Sequence, residues 1–175
     1  NEVIVLNKMI SNELINIINE GESVTTEFKE GINKLPKNLF ETICAFLNRN
    51  GGNIFLGIAD DGRIIGVNKA NITNMKKDFA NLCNNPEKIE PTVYLNINEY
   101  EIEDKEILHI YVNESSCVHR TAGKVYDRNE EGDYEVKQAE RIANIYVRKQ
   151  EFYTENKIYP YAEMKDLRED LIQRA

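Results

Sequence analysis

Residues 39–62 read LFETICAFLNRNGGNIFLGIADDG, and this stretch decides the architecture. Leu39, Phe40, Ile43, Phe46 and Leu47 recur at helical spacing, and Pro36 stands just upstream, where a first helical turn tolerates it. Gly51 is placed to take the left-handed position that closes a helix. The short apolar run from Asn53 to Ile58 follows between Gly52 and Asp60, the pattern of a central strand buried on both faces. Asp60-Asp61-Gly62 then turns the chain into a second short strand, Ile64 to Val67.

Outward from this core the periods alternate between helix and strand. Ile10, Leu14, Ile17 and Ile18 mark an amphipathic helix over 8–19, which Gly21 stops. From Val24 to Lys29 the chain alternates, with Val24, Thr26 and Phe28 facing one way. Thr25, Glu27 and Lys29 form the wet side of that strand. Ile72, Met75, Phe79 and Leu82 line a third helix that ends before Asn84-Asn85-Pro86. Val93, Leu95 and Ile97 alternate, as do Leu108, Ile110 and Val112, with the acidic stretch 99–106 as the hairpin end between them. Residues 118–128 read as a further strand pair around Gly123. Residues 135–150 are helical through Ala139, Ile142, Ile145 and Tyr146, and Met164, Leu167 and Leu171 mark a last helix. The fold class is α/β (α+β): a mixed, largely antiparallel sheet packed with helices. Three parts are expected: an N-terminal helix over 1–21, the main domain over 22–150, and a helix or connector over 151–175.

Composition limits the function. The chain has 175 residues, with 22 Lys plus Arg against 30 Asp plus Glu and a net charge of −8. That excess of acid counts against a generic polyanion binder, so a nucleic-acid surface would be a local basic patch on an acidic body. No apolar run approaches a membrane span, and no secretory leader opens the chain. Cys44, Cys83 and Cys117 are odd in number and scattered, which argues for a reducing, cytoplasmic setting without disulfides or zinc. Cys44 and Cys83 fall on apolar helix faces and read as core. A first residue other than Met reads as a segment of a longer protein with a further C-terminal part.

Two segments carry candidate chemistry: Glu22-Ser23-x-x-x-Glu27-Phe28-Lys29, and Ala45-Phe46-x-Asn48-x-x-Gly51-Gly52-x-Ile54-x-x-Gly57-Ile58-x-Asp60-Asp61-Gly62 running into Ile65-Gly66-Val67. Singly, these glycines and turn acids are explained by turn chemistry. Together, if the strands flanking the helix are neighbours, Glu22, Glu27, Asp60 and Asp61 converge at one sheet end. Clustered carboxylates hold Mg²⁺ or Mn²⁺. For phosphate, the candidates are Lys29, Lys34, Lys37, Arg49, Arg63, His119, Arg120, Lys124 and Arg128, with Tyr126 as a stacking ring. Gly51-Gly52-x-x-x-x-Gly57 lacks the G-K-[ST] ending of a phosphate loop. Ser115 and Ser116 lie near His109 and His119 without a G-x-S-x-G elbow and read as a polar loop. His109, between Leu108 and Ile110, is expected on the outward side of its strand.

The combined pattern resembles the Schlafen-type AlbA domain over about 22–146, with Tyr126-x-Arg128 matching an aromatic-x-Arg of that family. The resemblance implies a mixed α/β fold that binds DNA or RNA. It also implies a place at the N-terminus of bacterial transcriptional regulators or divergent AAA proteins. For eukaryotic Schlafen relatives it implies an endoribonuclease site of three carboxylates with a divalent metal. By position the glutamates are Glu22 and Glu27, and the aspartate falls in Ala59-Asp60-Asp61. Relatives commonly carry an acid directly after G-[IV], where this chain has Ala59, so the third ligand is either missing or supplied by Asp60. Past Arg128, where relatives often run into Gly-Ser, Asn129-Glu130-Glu131-Gly132 adds negative charge. Three functions follow: a DNA-binding domain needing no cofactor, a Mg²⁺- or Mn²⁺-dependent RNase using Glu22, Glu27 and Asp60, or a non-catalytic module. The last would be a homodimer joined through its terminal helices, or an ATP-binding domain linked to divergent AAA proteins.

Overall fold

The computed structural model describes residues 12–155. Helix α1 occupies 12–20 and ends where Gly21, at φ +84°, returns its N–H to Ile18. Strand β1 (Thr26–Lys29) leads through a loop into α2 (Leu39–Asn48), which feeds β2 (Gly52–Leu56). Helix α3 (Ile72–Cys83), strands β3 (Ile97–Ile102) and β4 (Lys105–Val112), the hairpin β5 (Tyr126–Asn129) and β6 (Gly132–Glu135), and helix α4 (Ala139–Glu155) complete the order. The main sheet runs β1-β2-β4-β3, with β1 parallel to β2 and the other pairs antiparallel. The architecture is the expected mixed sheet packed with helices.

Alternation along the strands sorts the core into layers. Ile54, Leu56, Leu108, Ile110 and Val112 meet α2 and α3, including Met75, Phe79 and Cys83. Phe28, Phe55 and Ile107 face the other way and receive Leu14 and Ile18 of α1. A third cluster, Val118, Val125, Val136 and Ile145, joins the β5–β6 region to α4. Between the sheet and this last layer α2 is buried on nearly every side. Cys44 and Cys83 are buried as expected, and burial pushes their thiols up to about 12 and about 11.

The twin glycine has a steric cause. Gly51 sits at φ +70° with its N–H on the Phe46 carbonyl, and a Cβ there would run into the Val112 carbonyl. A Cβ on Gly52 would stand 2.5 Å from the Thr25 carbonyl. Two glycines therefore let β1 and β4 both close on the first residues of β2.

Several expectations shift. Residues 64–67 form only an isolated bridge, Ile58 with Ile64, rather than a strand. The strand pair placed around Gly123 is instead β5–β6, turning before Gly132, while Glu90–Arg120 and Thr121–Lys124 are single bridges. The strand read from Val93 begins at Ile97. Most of the acidic stretch 99–106 is strand, because the hairpin turns on two residues only, Glu103 and Asp104, both at positive φ. Helix α4 starts at Ala139 rather than 135 and runs through residue 150. His109 does not face outward: α1 covers that sheet face, so the ring is 7% exposed and stacks on Phe55 at 4.8 Å. The helix read at Met164, Leu167 and Leu171 lies outside the described residues. Among the described residues no helix is long and apolar enough to cross a membrane.

Candidate nucleic-acid interface

Strands β1 and β2 run parallel, so the chain leaves both at the same sheet end, where open α/β sheets commonly place their ligands. A cleft of about 590 Å³ opens there, between the β1–α2 loop and the turn after β2. Glu22, Glu27 and Asp60 line it together with Lys34, Lys37 and Asn38. The loop is pinned from outside: Asn33 Oδ1 accepts from the side-chain amides of Asn68 and Asn71 at 3.2 and 3.1 Å. Lys34 and Lys37 are exposed on it. The N-terminus of α2 opens on the same cleft, and Asn38, its first flanking residue, makes no side-chain cap.

The carboxylates differ in state. Glu22 Oε1 accepts the Phe28 N–H at 2.9 Å. Burial, with the Glu27 and Asp60 charges nearby, lifts its carboxyl above the usual range against the pull of that hydrogen bond. Burial also pushes Glu27 upward, but Lys29 at 3.0 Å and Arg128 at 2.7 Å outweigh it and hold the carboxyl below its ordinary value. Asp60 is exposed. Asp61 is turned away to the exposed turn and pairs with Arg63 at 2.6 Å. Among the described residues no three His, Cys, Asp or Glu side chains form a group that could hold a metal ion.

Three residues expected to meet phosphate are instead internal. Arg128 has a side chain 2% exposed, packed over the Phe46 ring. Its guanidinium donates to Glu27, to Asp133 at 2.6 Å and to the Ser23 carbonyl at 2.9 Å. It joins β1 to the β5–β6 hairpin, with its guanidinium donors engaged by these internal partners. Lys29 points back over the sheet to Glu27, 6% exposed, so that side of β1 is a buried ion network rather than a wet surface. His119 is 3% exposed and bonded through both ring nitrogens.

The other candidates are dispersed. Arg49 forms a two-pronged pair with Asp127 at 2.8 and 2.7 Å. Lys124 pairs with Glu135 at 3.0 Å, and Arg120 is half-buried beside Glu90. Tyr126 is half-buried. Asn48 is wholly buried: its amide donates to the His119 and Tyr126 carbonyls and its Oδ1 accepts the His119 N–H, which rivets α2 to the 119–126 segment.

Sequence reasoning missed Asp133, Asp127, Thr42, Lys149 and Arg148. Thr42 donates to Asp133 at 2.6 Å. Lys149, 2% exposed at its side chain, donates to the Leu47 carbonyl and to Glu114 at 2.9 and 2.7 Å. Such partners lie 90 or more residues apart in several of these pairs. The one local signal was α2 itself, a helix with no basic residue in its last turn to meet its carbonyls.

No curated protein sequence matches the chain. Among solved structures, the N-terminal domain of an ATP-dependent DNA helicase RecG-related protein from Nitrosomonas europaea is similar at 25% identity and TM-score 0.47. That match covers 58% of this chain and 71% of the other. A crystal structure of a Corynebacterium diphtheriae protein is similar at 18% identity and TM-score 0.53, covering 85% of this chain but only 32% of the other, which supports the fold alone. The sequence model of the family described as Schlafen, AlbA_2 matches residues 22–137. With two thirds of its length matched by that model, this chain belongs to the Schlafen AlbA_2 family.

Proposed function

We propose that the domain binds nucleic acid, DNA in the first instance, as the recognition part of a bacterial transcriptional regulator. One observation carries this reading: Lys34, Lys37 and Asn38, the residue that opens α2, line a single open cleft. Ammonium groups and side-chain amides are both common partners of a phosphate oxygen, and the Asn38 side chain makes no cap bond to the helix. Neither lysine is paired to an acid among the described residues, unlike Lys29, Lys69, Lys76, Lys124 and Lys149. Family membership supports the same reading. Arg128 and Lys29 serve this surface indirectly, by fixing β1 and Glu27 beneath it. The test is fluorescence anisotropy with a labelled duplex across a salt series. Affinity falls as salt rises, and Lys34→Glu with Lys37→Glu removes binding while circular dichroism is unchanged. Duplex binding that ignores both substitutions refutes the reading.

A second reading, a divalent-metal endoribonuclease, is favoured by one observation: Glu22, Glu27 and Asp60 line that same cleft. Glu27 is neutralised by its two cations, so Glu22 and Asp60 would be the direct oxygens. Two carboxylates suffice for Mg²⁺ when waters and substrate phosphate complete its shell. Such an ion would offset the cleft's own negative charge toward phosphate. Transfer RNA incubated with Mn²⁺ separates the readings: cleavage lost in Glu22→Gln favours the enzyme, and intact RNA favours the binder.

A further inference from the structure

A second cleft, of about 340 Å³, lies elsewhere on the molecule, between the segment 91–95 and the loop 113–117. It holds an arrangement that the hydrogen bonds define. His119 Nδ1 lies 2.8 Å from the Pro91 carbonyl oxygen, and Nε2 lies 2.8 Å from Ser115 Oγ. A carbonyl oxygen only accepts, so Nδ1 carries the ring proton and Nε2 of the neutral ring presents its lone pair. The Ser115 hydroxyl therefore donates to Nε2. The Cys117 N–H donates to the same Oγ at 3.1 Å and fixes it in place. Burial holds the imidazole below its ordinary pKa against the Pro91 bond, and the Lys149 charge acts in the same direction, so the ring is neutral near pH 7. Leu47, Val93 and Leu95 give the cleft apolar walls, and Asn113 also lines it.

We propose that Ser115 is a nucleophile with His119 as its general base, in a site that takes small acyl esters. A serine, a base in hydrogen-bond reach and a third group orienting the base are the parts such a site requires. Ser115 Oγ bonds to the acyl carbon while its proton passes to His119 Nε2. The ester C–O bond breaks, and the departing alkoxide takes that proton as the alcohol. Water then gives a proton to Nε2 and hydroxide to the acyl carbon, the acyl–Oγ bond breaks, Oγ takes the proton back from Nε2, and the carboxylic acid leaves. The site is independent of the β1–β2 cleft and of what binds there.

A fluorophosphonate probe tests this on the intact protein, since attack forms an Oγ–P bond, expels fluoride and leaves the proton on His119. Peptide mapping is expected to find the adduct on Ser115. Ser115→Ala removes the adduct and lowers p-nitrophenyl acetate turnover at least tenfold, and the mapped position of the adduct separates serine attack from any thiol reaction. Replacing the buried His119 risks unfolding, so the base is tested on the unaltered chain by pH. The charged groups beside the ring are Lys149 of α4 and its partner Glu114. The labelling rate rises with pH and levels off below the ordinary histidine value of 6.5. No adduct at Ser115 where a serine hydrolase standard labels fully overturns the proposal, as does a labelling rate independent of pH or a Ser115→Ala variant with unchanged turnover.

Discussion

Replacing Arg128 by Ala tests whether this side chain is a strut or a phosphate contact. Its guanidinium joins Glu27 and Asp133 at 2.7 and 2.6 Å, and its side chain is 2% exposed. Those carboxylates are themselves only 18% and 13% exposed, so water replaces the lost cation poorly. Removing one partner of a buried ion pair costs about 3–5 kcal/mol, mainly because the remaining charge is left dry. Glu27 keeps Lys29 and Asp133 keeps the Thr42 hydroxyl, which places the cost at the lower end, about 3 kcal/mol. For a chain of this length that corresponds to a fall in Tm of about 6–12 °C. Urea titration should show a lower midpoint with an unchanged slope, and calorimetry the lower Tm. Arg128→Lys recovers only part of the loss, because one ammonium cannot span Glu27, Asp133 and the Ser23 carbonyl together. A change under about 1 kcal/mol refutes the reasoning. Should such a stable variant also lose nucleic-acid binding, Arg128 would belong to the contact surface after all.

Three further outcomes are expected. Lys34→Ala and Lys37→Ala should each reduce the slope of log affinity against log salt by about 1, read by anisotropy at several ionic strengths. His109 is pushed down to about 4 by burial, from 6.5 when free. Between those values the unfolded chain binds the proton and the folded one does not, so stability is full above 6.5 and declines as pH falls toward 4. The total is about 3 kcal/mol, and His109→Gln should remove that part of the pH slope in urea titrations. Gly62→Ala, at φ +83° in open space, should cost about 1 kcal/mol, whereas Gly52→Ala must displace the Thr25 carbonyl and cost more, measured by the same titrations.

The legible parts of the fold were those set by nearest neighbours in sequence. The stripe from Leu39 to Leu47 and the Gly51 ending depend on periods and backbone geometry within a few residues and are where the pattern placed them, while the strand read over 53–58 forms at Gly52–Leu56, two residues short at its end. Lys29 was misplaced because alternation assigns a face but not what covers it, and no local pattern shows that Arg128 is drawn inward. The cover on that side of β1 is built partly from Asp133 and Arg128, about a hundred residues away. His109 was misplaced for the same reason, with α1 as the cover. The hairpin slipped from Gly123 to Gly132 because both glycines sit among turn-forming residues, and only pairing with Tyr126–Asn129 distinguishes them. Of the candidate site, the carboxylates and Lys34, Lys37 shared one cleft because the β1-α2-β2 crossover makes sheet-end neighbours of residues that flank a helix.

Helix α2 scaffolds the cleft at one end, yet the groups that finish its other end arrive from the far end of the chain. Arg148 and Lys149 of α4 donate to the carbonyls of Asn48 and Leu47, beyond the last residue of the family match at 137. A fragment trimmed to that match would lose both cations, leaving those carbonyls without their donors and Glu114 without its ammonium. The shortest self-sufficient version of this domain therefore has to be cut downstream of Lys149, whatever the boundary drawn from sequence similarity.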